Sequence, residues 1–136
     1  MHPALGIDHG DARIGIAATD PMGILAYPVE TVKNEGDPVS RIAALAAQKG
    51  AKTIILGIPV RMDGTEGTAA AKVRLFGDQI AAAMPDIPLF FVDECLTTVA
   101  AQEKLRAAGK KVKNQKSIID QAAAVEILNI WMDQQF

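Results

Sequence analysis

The sequence predicts an α/β domain on a mixed five-stranded sheet, with three antiparallel strands followed by two parallel ones and helices on the faces. Two short apolar runs near the start are joined by a Gly/Asp turn, which is typical of a hairpin. Further along, two apolar runs, the first of them rich in β-branched residues, alternate with segments of helical periodicity. Helical crossovers place successive strands in parallel, so we expect the later strands to run parallel to the first.

The antiparallel part of the sheet is predicted from three apolar segments. The first two are joined by a turn that contains Gly10 and Asp11, and the third is a weaker strand pattern. Their bounds are Ala4 to Ile7, Arg13 to Thr19 and Pro28 to Val32.

The parallel part alternates helix and strand. Asp37-Pro38 supplies a capping residue and a proline at the first helical position, and Gly50 ends this first helix. Thr53 to Leu56 is the next strand, expected to be buried on both faces. A second helix follows, with a stripe formed by Val73, Phe76, Ile80 and Ala83. Leu89 to Val92 is the last strand and closes on Asp93-Glu94.

The C-terminal part is predicted as two helices separated by a basic segment. Thr97 or Thr98 caps a helix that runs to about Ala108, and a flexible basic loop is expected from Lys110 to Lys116. Ser117 then opens a final helix, whose buried stripe carries Ile119, Ala123, Ile127 and Trp131.

The composition favours one folded cytosolic domain over residues 1–136. The hydrophobic fraction is 49%, and no run of about 18 apolar residues predicts a membrane span. The single cysteine, Cys95, excludes an internal disulfide and a four-cysteine zinc site. His2 and His9 are expected to be unfixed, the first in a terminus and the second in a turn.

The net charge of −2 argues mildly against a nucleic-acid partner, but its distribution is uneven. Six basic residues and no acid lie between Lys104 and Lys116. This stretch is either a solvated helix end and loop or a surface for phosphates.

Three acids are candidates for one site. Asp8 and Asp93-Glu94 follow predicted parallel strands, whose carboxyl ends meet at one edge of a sheet. Asp120 begins the buried stripe of the last helix, although Ser117 and Asp120 also fit a capping box with no inward role. At about 4 Å and an effective dielectric constant near 20, each pair of carboxylates would repel by roughly 4 kcal/mol.

Such a cluster persists only if it is protonated or holds cations. Oxygen ligands without histidine or cysteine favour Mg²⁺ or Mn²⁺. Two such ions about 4 Å apart activate water and stabilise the leaving oxygen of a phosphodiester. The three acids therefore predict metal-dependent phosphodiester hydrolysis.

Four segments, in order along the chain, resemble the motifs of the YqgF/RuvX family. They are Asp8-His9-Gly10-Asp11-Ala12-Arg13-Ile14-Gly15-Ile16-Ala17, the run from Gly57 to Gly67, Asp93-Glu94 with Leu96-Thr97-Thr98, and Asp120 with Ala122-Ala123 and Ile127-Leu128. Members of that family have a ribonuclease H-like fold, and are described as candidate Holliday junction resolvases and as nucleases that mature the end of 16S ribosomal RNA. The resemblance spans nearly the whole chain.

The resemblance implies that Asp8, Glu94 and Asp120 bind the metal and are catalytic, with Asp93 as the substitute for Glu94. The family's Asp-Glu-Arg is broken here, because Cys95 stands where the arginine is expected. One phosphate contact is therefore missing, and other basic residues are candidates for binding nucleic acid in its place: Arg13, Arg61, Lys110, Lys111, Lys113 and Lys116. Cys95 itself is not expected to be a nucleophile, since no histidine base is placed near it.

The expected function is a divalent-metal-dependent endonuclease that processes the end of precursor 16S rRNA, with structured RNA favoured as substrate. A resolvase of branched DNA is a second possibility, which would require two symmetric sites and hence a homodimer. A nucleic-acid-binding module without activity is a third, and a fragment of an actin-like ATPase or sugar kinase is a fourth.

Overall fold

The computed structural model describes residues 2–61, 63–94 and 112–134, with side chains in the last helix from residue 119 onward. The described elements, in chain order, are β1 (Ala4–His9), β2 (Arg13–Thr19), β3 (Ala26–Lys33), α1 (Pro38–Lys49), β4 (Thr53–Ile58), α2 (Thr68–Ala83), β5 (Leu89–Asp93) and α3 (Val112–Gln134). None of the described helices is both long and apolar enough to cross a bilayer.

The sheet has the predicted mixed arrangement, in the order β3-β2-β1-β4-β5. β1 pairs antiparallel with β2, and β2 pairs antiparallel with β3. β4 is parallel to both β1 and β5. The three parallel strands therefore present their carboxyl ends side by side, at the edge where the candidate acids were expected.

The two faces of the sheet are covered by different helices. Successive residues of a strand point to opposite faces, and the core follows that alternation. Leu5 and Ile54 are fully buried in the cluster that includes the apolar residues of α1 and α2. Ala4 and Ile55 are buried in the cluster that includes Ile127 of α3.

Helix α1 begins and ends as the sequence predicts. The carboxylate of Asp37 accepts hydrogen bonds from the backbone N–H and the hydroxyl of Ser40, and Pro38 takes the first helical position. Gly50 ends the helix in the left-handed region with φ of 65°, and its N–H bonds to the carbonyls of Ala46 and Ala47.

Helix α3 packs unusually close to the sheet at one residue of β2. A Cβ on Gly15 would overlap the carbonyl oxygen of Asp120, so the helix backbone lies directly on the strand. Gly15 is also the register partner of Asp8 on β1. The glycine thus brings the backbone of Asp120 next to the strand that carries Asp8.

The predicted boundary of the final helix is wrong. Residues 112–116 belong to α3 rather than to a basic loop, so Ser117 lies inside the helix and not at the N-cap position that a capping box with Asp120 requires. No glycine or proline occurs between Val112 and Gln134, and lysine, glutamine and alanine favour helix. Nothing in that segment ends the helix early.

Several sequence predictions lie outside the described residues. They are the helix predicted from Thr97 or Thr98 to Ala108, residue Cys95, and the basic residues Lys110 and Lys111. Lys113 and Lys116 belong to the α3 backbone, but their side chains are not described.

We predict that Gly15→Ala destabilises the protein, because its methyl group would push α3 away from β2. Overpacking of this kind lowers the free energy of unfolding by about 1–3 kcal/mol. Urea titration followed by circular dichroism measures this change. Unchanged stability would contradict the contact between the Asp120 backbone and β2.

Candidate active site

Two acids lie at the carboxyl ends of parallel strands, separated by a third strand. Asp8 is the penultimate residue of β1, and Glu94 directly follows β5. β4 runs between them, and the backbone N–H of Glu94 donates to the carbonyl of Ile58 at its end (3.0 Å). Neighbouring strands lie about 4.8 Å apart, so the two acids must reach across β4 to meet.

A glycine on β4 opens that path. A Cβ on Gly57 would lie 2.5 Å from Oε2 of Glu94, a distance that real contacts do not show. Gly57 stands one residue beyond Leu56, which pairs with Ile7, the residue before Asp8. The absence of a side chain at Gly57 therefore lets the Glu94 carboxyl extend over β4 towards Asp8.

Asp8 and Glu94 are joined by a hydrogen bond, and burial is the largest influence on the pKa of each. Burial raises the pKa of Glu94, and the hydrogen bond and the charge of Asp8 raise it further, to about 9. Burial also raises the pKa of Asp8, although the hydrogen bond from Glu94 opposes this shift. Near neutral pH, Glu94 therefore holds a proton and donates it to the Asp8 carboxylate.

Asp120 approaches the same edge from α3 and is held by an arginine of β2. Nε of Arg13 donates to Oδ2 of Asp120 at 2.8 Å, and the Asp120 side chain is only 19% exposed. Burial raises the pKa of Asp120, while the hydrogen bond and the charge of Arg13 lower it. The charge of Asp120 in turn raises the pKa of Asp8, which couples the third acid to the pair.

The neighbouring acids Asp93 and Glu94 differ in orientation. Asp93 is exposed at the end of β5, whereas Glu94 is turned inward against Asp8. Successive residues at a strand end point in opposite directions. The geometry thus brings Glu94, and not its substitute, to Asp8.

The donor set suits a hard divalent cation, although it is not assembled as a complete metal centre. The three inward acids offer only carboxylate oxygens, the ligands that Mg²⁺ and Mn²⁺ prefer. Within residues 2–61, 63–94 and 112–134, no three acidic, histidine or cysteine side chains have the mutual spacing of a metal site. Asp8 and Glu94 share a proton, and Asp120 is engaged by Arg13.

Of the basic residues predicted to bind nucleic acid, two have described side chains. Arg13 contacts Asp120, so one of its roles is to position that acid. Arg61 follows β4 in an exposed loop, with its guanidinium beside Gly67 at the start of α2. The remaining candidates are the four lysines whose side chains are not described.

Three residues near the acids were missed or misjudged from sequence. Gly15 and Gly57 make room for Asp120 and Glu94, and a glycine inside a strand is a signal of close approach. The prediction that His2 and His9 are unfixed is wrong. Nδ1 of His2 lies 2.9 Å from Oγ1 of Thr19, and His9 is the last residue of β1. The His9 ring packs on Phe76 with centroids 4.5 Å apart, and Nδ2 of Asn34 lies 3.2 Å from its Nε2.

Comparison with known proteins supports the motif resemblance. A family model described as "RuvX: Holliday junction resolvase" matches residues 2–134. A Mycolicibacterium paratuberculosis protein named "Putative pre-16S rRNA nuclease" is 47% identical over 133 residues, covering 96% of this chain and 80% of that protein. A Streptomyces coelicolor protein with the same name is 48% identical over 126 residues, covering 91% and 75%.

Solved structures share the fold at much lower identity. RuvC of T. thermophilus, in complex with a Holliday junction substrate, aligns with a TM-score of 0.56 at 18% identity, covering 97% of this chain and 94% of RuvC. The Fowlpox virus resolvase, in complex with Holliday junction DNA, aligns with a TM-score of 0.61 at 10% identity, covering 98% and 99%. These structures support a ribonuclease H-like fold.

Together with the match of the family model over residues 2–134, the curated relatives show that this chain belongs to the RuvX family.

Proposed function

We propose that this protein is a divalent-metal-dependent endonuclease that hydrolyses phosphodiester bonds at the end of precursor 16S rRNA. The observation that carries the proposal is the buried Asp8–Glu94 pair, coupled to Asp120, at the carboxyl edge of the sheet. The names of the curated relatives, which are nearly half identical to this chain, favour the ribosomal precursor as substrate.

Asp8, Glu94 and Asp120 would hold the metal, which we expect to be Mg²⁺ or Mn²⁺. Their pKa values are all raised by burial, so each carboxylate is held where its charge is poorly solvated. A divalent cation would relieve this penalty in place of protons. When bound, it supplies Lewis-acid stabilisation of the charge that develops on a phosphodiester.

The protein's own residues prepare this edge for such an ion. Gly57 lets Glu94 lie against Asp8, and Gly15 sets the distance of α3 from the sheet. Arg13 fixes the orientation of the Asp120 carboxylate and lowers its pKa, which opposes the effect of burial. Partial burial also lowers the local dielectric constant, so charges act more strongly on a bound phosphate than they would in water.

A second candidate function is resolution of branched DNA. The description of the matching family model favours it. Two strands of a junction must be cut symmetrically, so this function would require a homodimer with two equivalent sites. RNA and DNA substrates, together with the oligomeric state in solution, discriminate between the two.

We predict that Asp8→Asn and Asp120→Asn each reduce cleavage by about 100-fold or more, because each removes a charged oxygen that would hold the metal. The measurement is Mn²⁺-dependent cleavage of a precursor 16S rRNA fragment, with a four-way DNA junction assayed in parallel. Asp78→Asn, at an exposed residue of α2, is the matched control and should retain full activity.

Cleavage retained in both site variants would overturn the mechanism. Cleavage of the junction alone, by a dimer, would favour the second function. Binding of RNA without cleavage of either substrate in several divalent metals would make the protein a binding module.

We predict that Glu94 makes the metal-free protein less stable as the pH rises. Its pKa is about 9 in the folded protein against an ordinary value of 4.5, so the folded state retains a proton that the unfolded chain releases. The resulting stabilisation is complete below about pH 4.5 and is lost as the pH rises through 9. Glu94→Gln cannot titrate, so its melting temperature should fall less between pH 5 and pH 9 in EDTA.

Asp78→Asn should follow the wild-type profile in the same melting experiment. If Glu94→Gln lost as much stability as the wild type over this range, the shared proton would not exist.

A further inference from the structure

A groove leads away from the acids over the ends of the strands. A cavity of about 400 Å³ is lined by Glu94 and by the first turns of α2. A second cavity, of about 330 Å³, extends from there to Gly36 and Pro38 at the start of α1. His9, Asp11 and Lys72 line both cavities, so the two adjoin at these residues; together they are called the groove, and Glu94 lies at one end of it.

The floor of this groove is held in place. The His9 ring packs on Phe76, which is buried against the sheet. Nδ2 of Asn34 donates to the carbonyl of Gly10 at 2.8 Å and lies 3.2 Å from Nε2 of His9. Since the amide nitrogen is a donor, Nε2 of His9 accepts. The floor is thus a fixed aromatic surface.

Lys72 is the only lysine or arginine among the described residues that line the groove. Its Nζ contacts Oδ1 of Asp11 at 3.2 Å, and the two side chains are 55% and 81% exposed. By contrast, Arg41 and Arg74 each make two hydrogen bonds of 2.6–2.8 Å to their acids, Glu30 and Glu66. The Lys72–Asp11 contact is a long, single, exposed ion pair, a kind that contributes little to stability.

We propose that Lys72 binds a phosphate of the substrate strand next to the one that is cut, and exchanges Asp11 for that phosphate when the strand enters the groove. The inference rests on the proposed function, because it takes the acids as the cleavage point. A strand whose scissile phosphate lies at Glu94 and which follows the two adjoining cavities would pass Lys72 and the His9 ring. A phosphodiester is a suitable exchange partner for a lysine whose present ion pair is weak.

Lys72 is therefore a substrate-positioning residue, and Asp11 competes with the substrate for it. Two substitutions should have opposite effects on affinity. Lys72→Ala removes the phosphate contact, whereas Asp11→Asn removes the competing carboxylate. A merely structural ion pair would not produce this opposition, because breaking it from either side would have the same consequence.

The test measures binding of a single-stranded RNA from the precursor end to the wild-type protein and its variants in EDTA, over a range of salt concentrations. Lys72→Ala should weaken binding about fivefold and reduce the slope of log affinity against log salt by about 0.7, the value for one phosphate contact on a single strand. Lys72→Arg should restore the slope. Asp11→Asn should tighten binding.

The matched controls come from an ion pair that lines neither cavity. Glu30→Gln makes the same change of net charge as Asp11→Asn, and Arg41→Ala makes the same change as Lys72→Ala. Both controls should leave the affinity and the salt slope near the wild-type values. If the controls shifted binding as much as the groove variants, the change in the protein's net charge would explain the effect, and the proposed subsite would be wrong.

Cleavage in Mn²⁺ is measured separately, so the two proposals can fail independently. If binding depended on Lys72 but the protein cleaved no substrate, the proposed nuclease activity would be wrong and the proposed phosphate subsite would stand. If the protein cleaved efficiently and Lys72→Ala changed neither KM nor binding, the nuclease activity would stand and the proposed phosphate subsite would be wrong.

Discussion

The shared proton between Asp8 and Glu94 is the constraint around which the site is arranged. Their strands are separated by β4, so the two carboxyls meet only because Gly57 carries no side chain there. Poor solvation makes the contact unfavourable for two negative charges, and a proton resolves the conflict in the metal-free protein. The same poor solvation of the carboxylates would favour a divalent cation in place of the proton. This is how the fold supports the proposed chemistry.

Most of the fold followed from local patterns. The hairpin, the proline-initiated first helix and the apolar parallel strands are each specified by a few adjacent residues, and the structure has all of them. The error concerned residues 112–116, where a run of lysines suggested a solvated loop. Charge is a poor indicator of helix ends, because lysine is a good helix former and only glycine, proline or a cap ends a helix reliably.

The site was only partly accessible from sequence. Asp8 and Asp120 stood out because each sits at the boundary between a buried pattern and a polar one. The choice between Asp93 and Glu94 depended on where β5 ends, which a one-residue shift reverses. A glycine inside a strand signals close approach, but which groups approach Gly15 and Gly57 depends on residues distant in the chain. The contact between Lys72 and Asp11 likewise joins residues far apart in the sequence.

The contact between Gly15 and the Asp120 backbone has a mechanical consequence. Because the main chain of α3 rests on β2 at this residue, the docking of the helix sets where the Asp120 backbone lies, and Arg13 then orients its carboxylate. Of the other two acids, Asp8 lies in β1 and Glu94 directly follows β5. Any sliding or tilting of the helix would therefore change the distance between Asp120 and the Asp8–Glu94 pair.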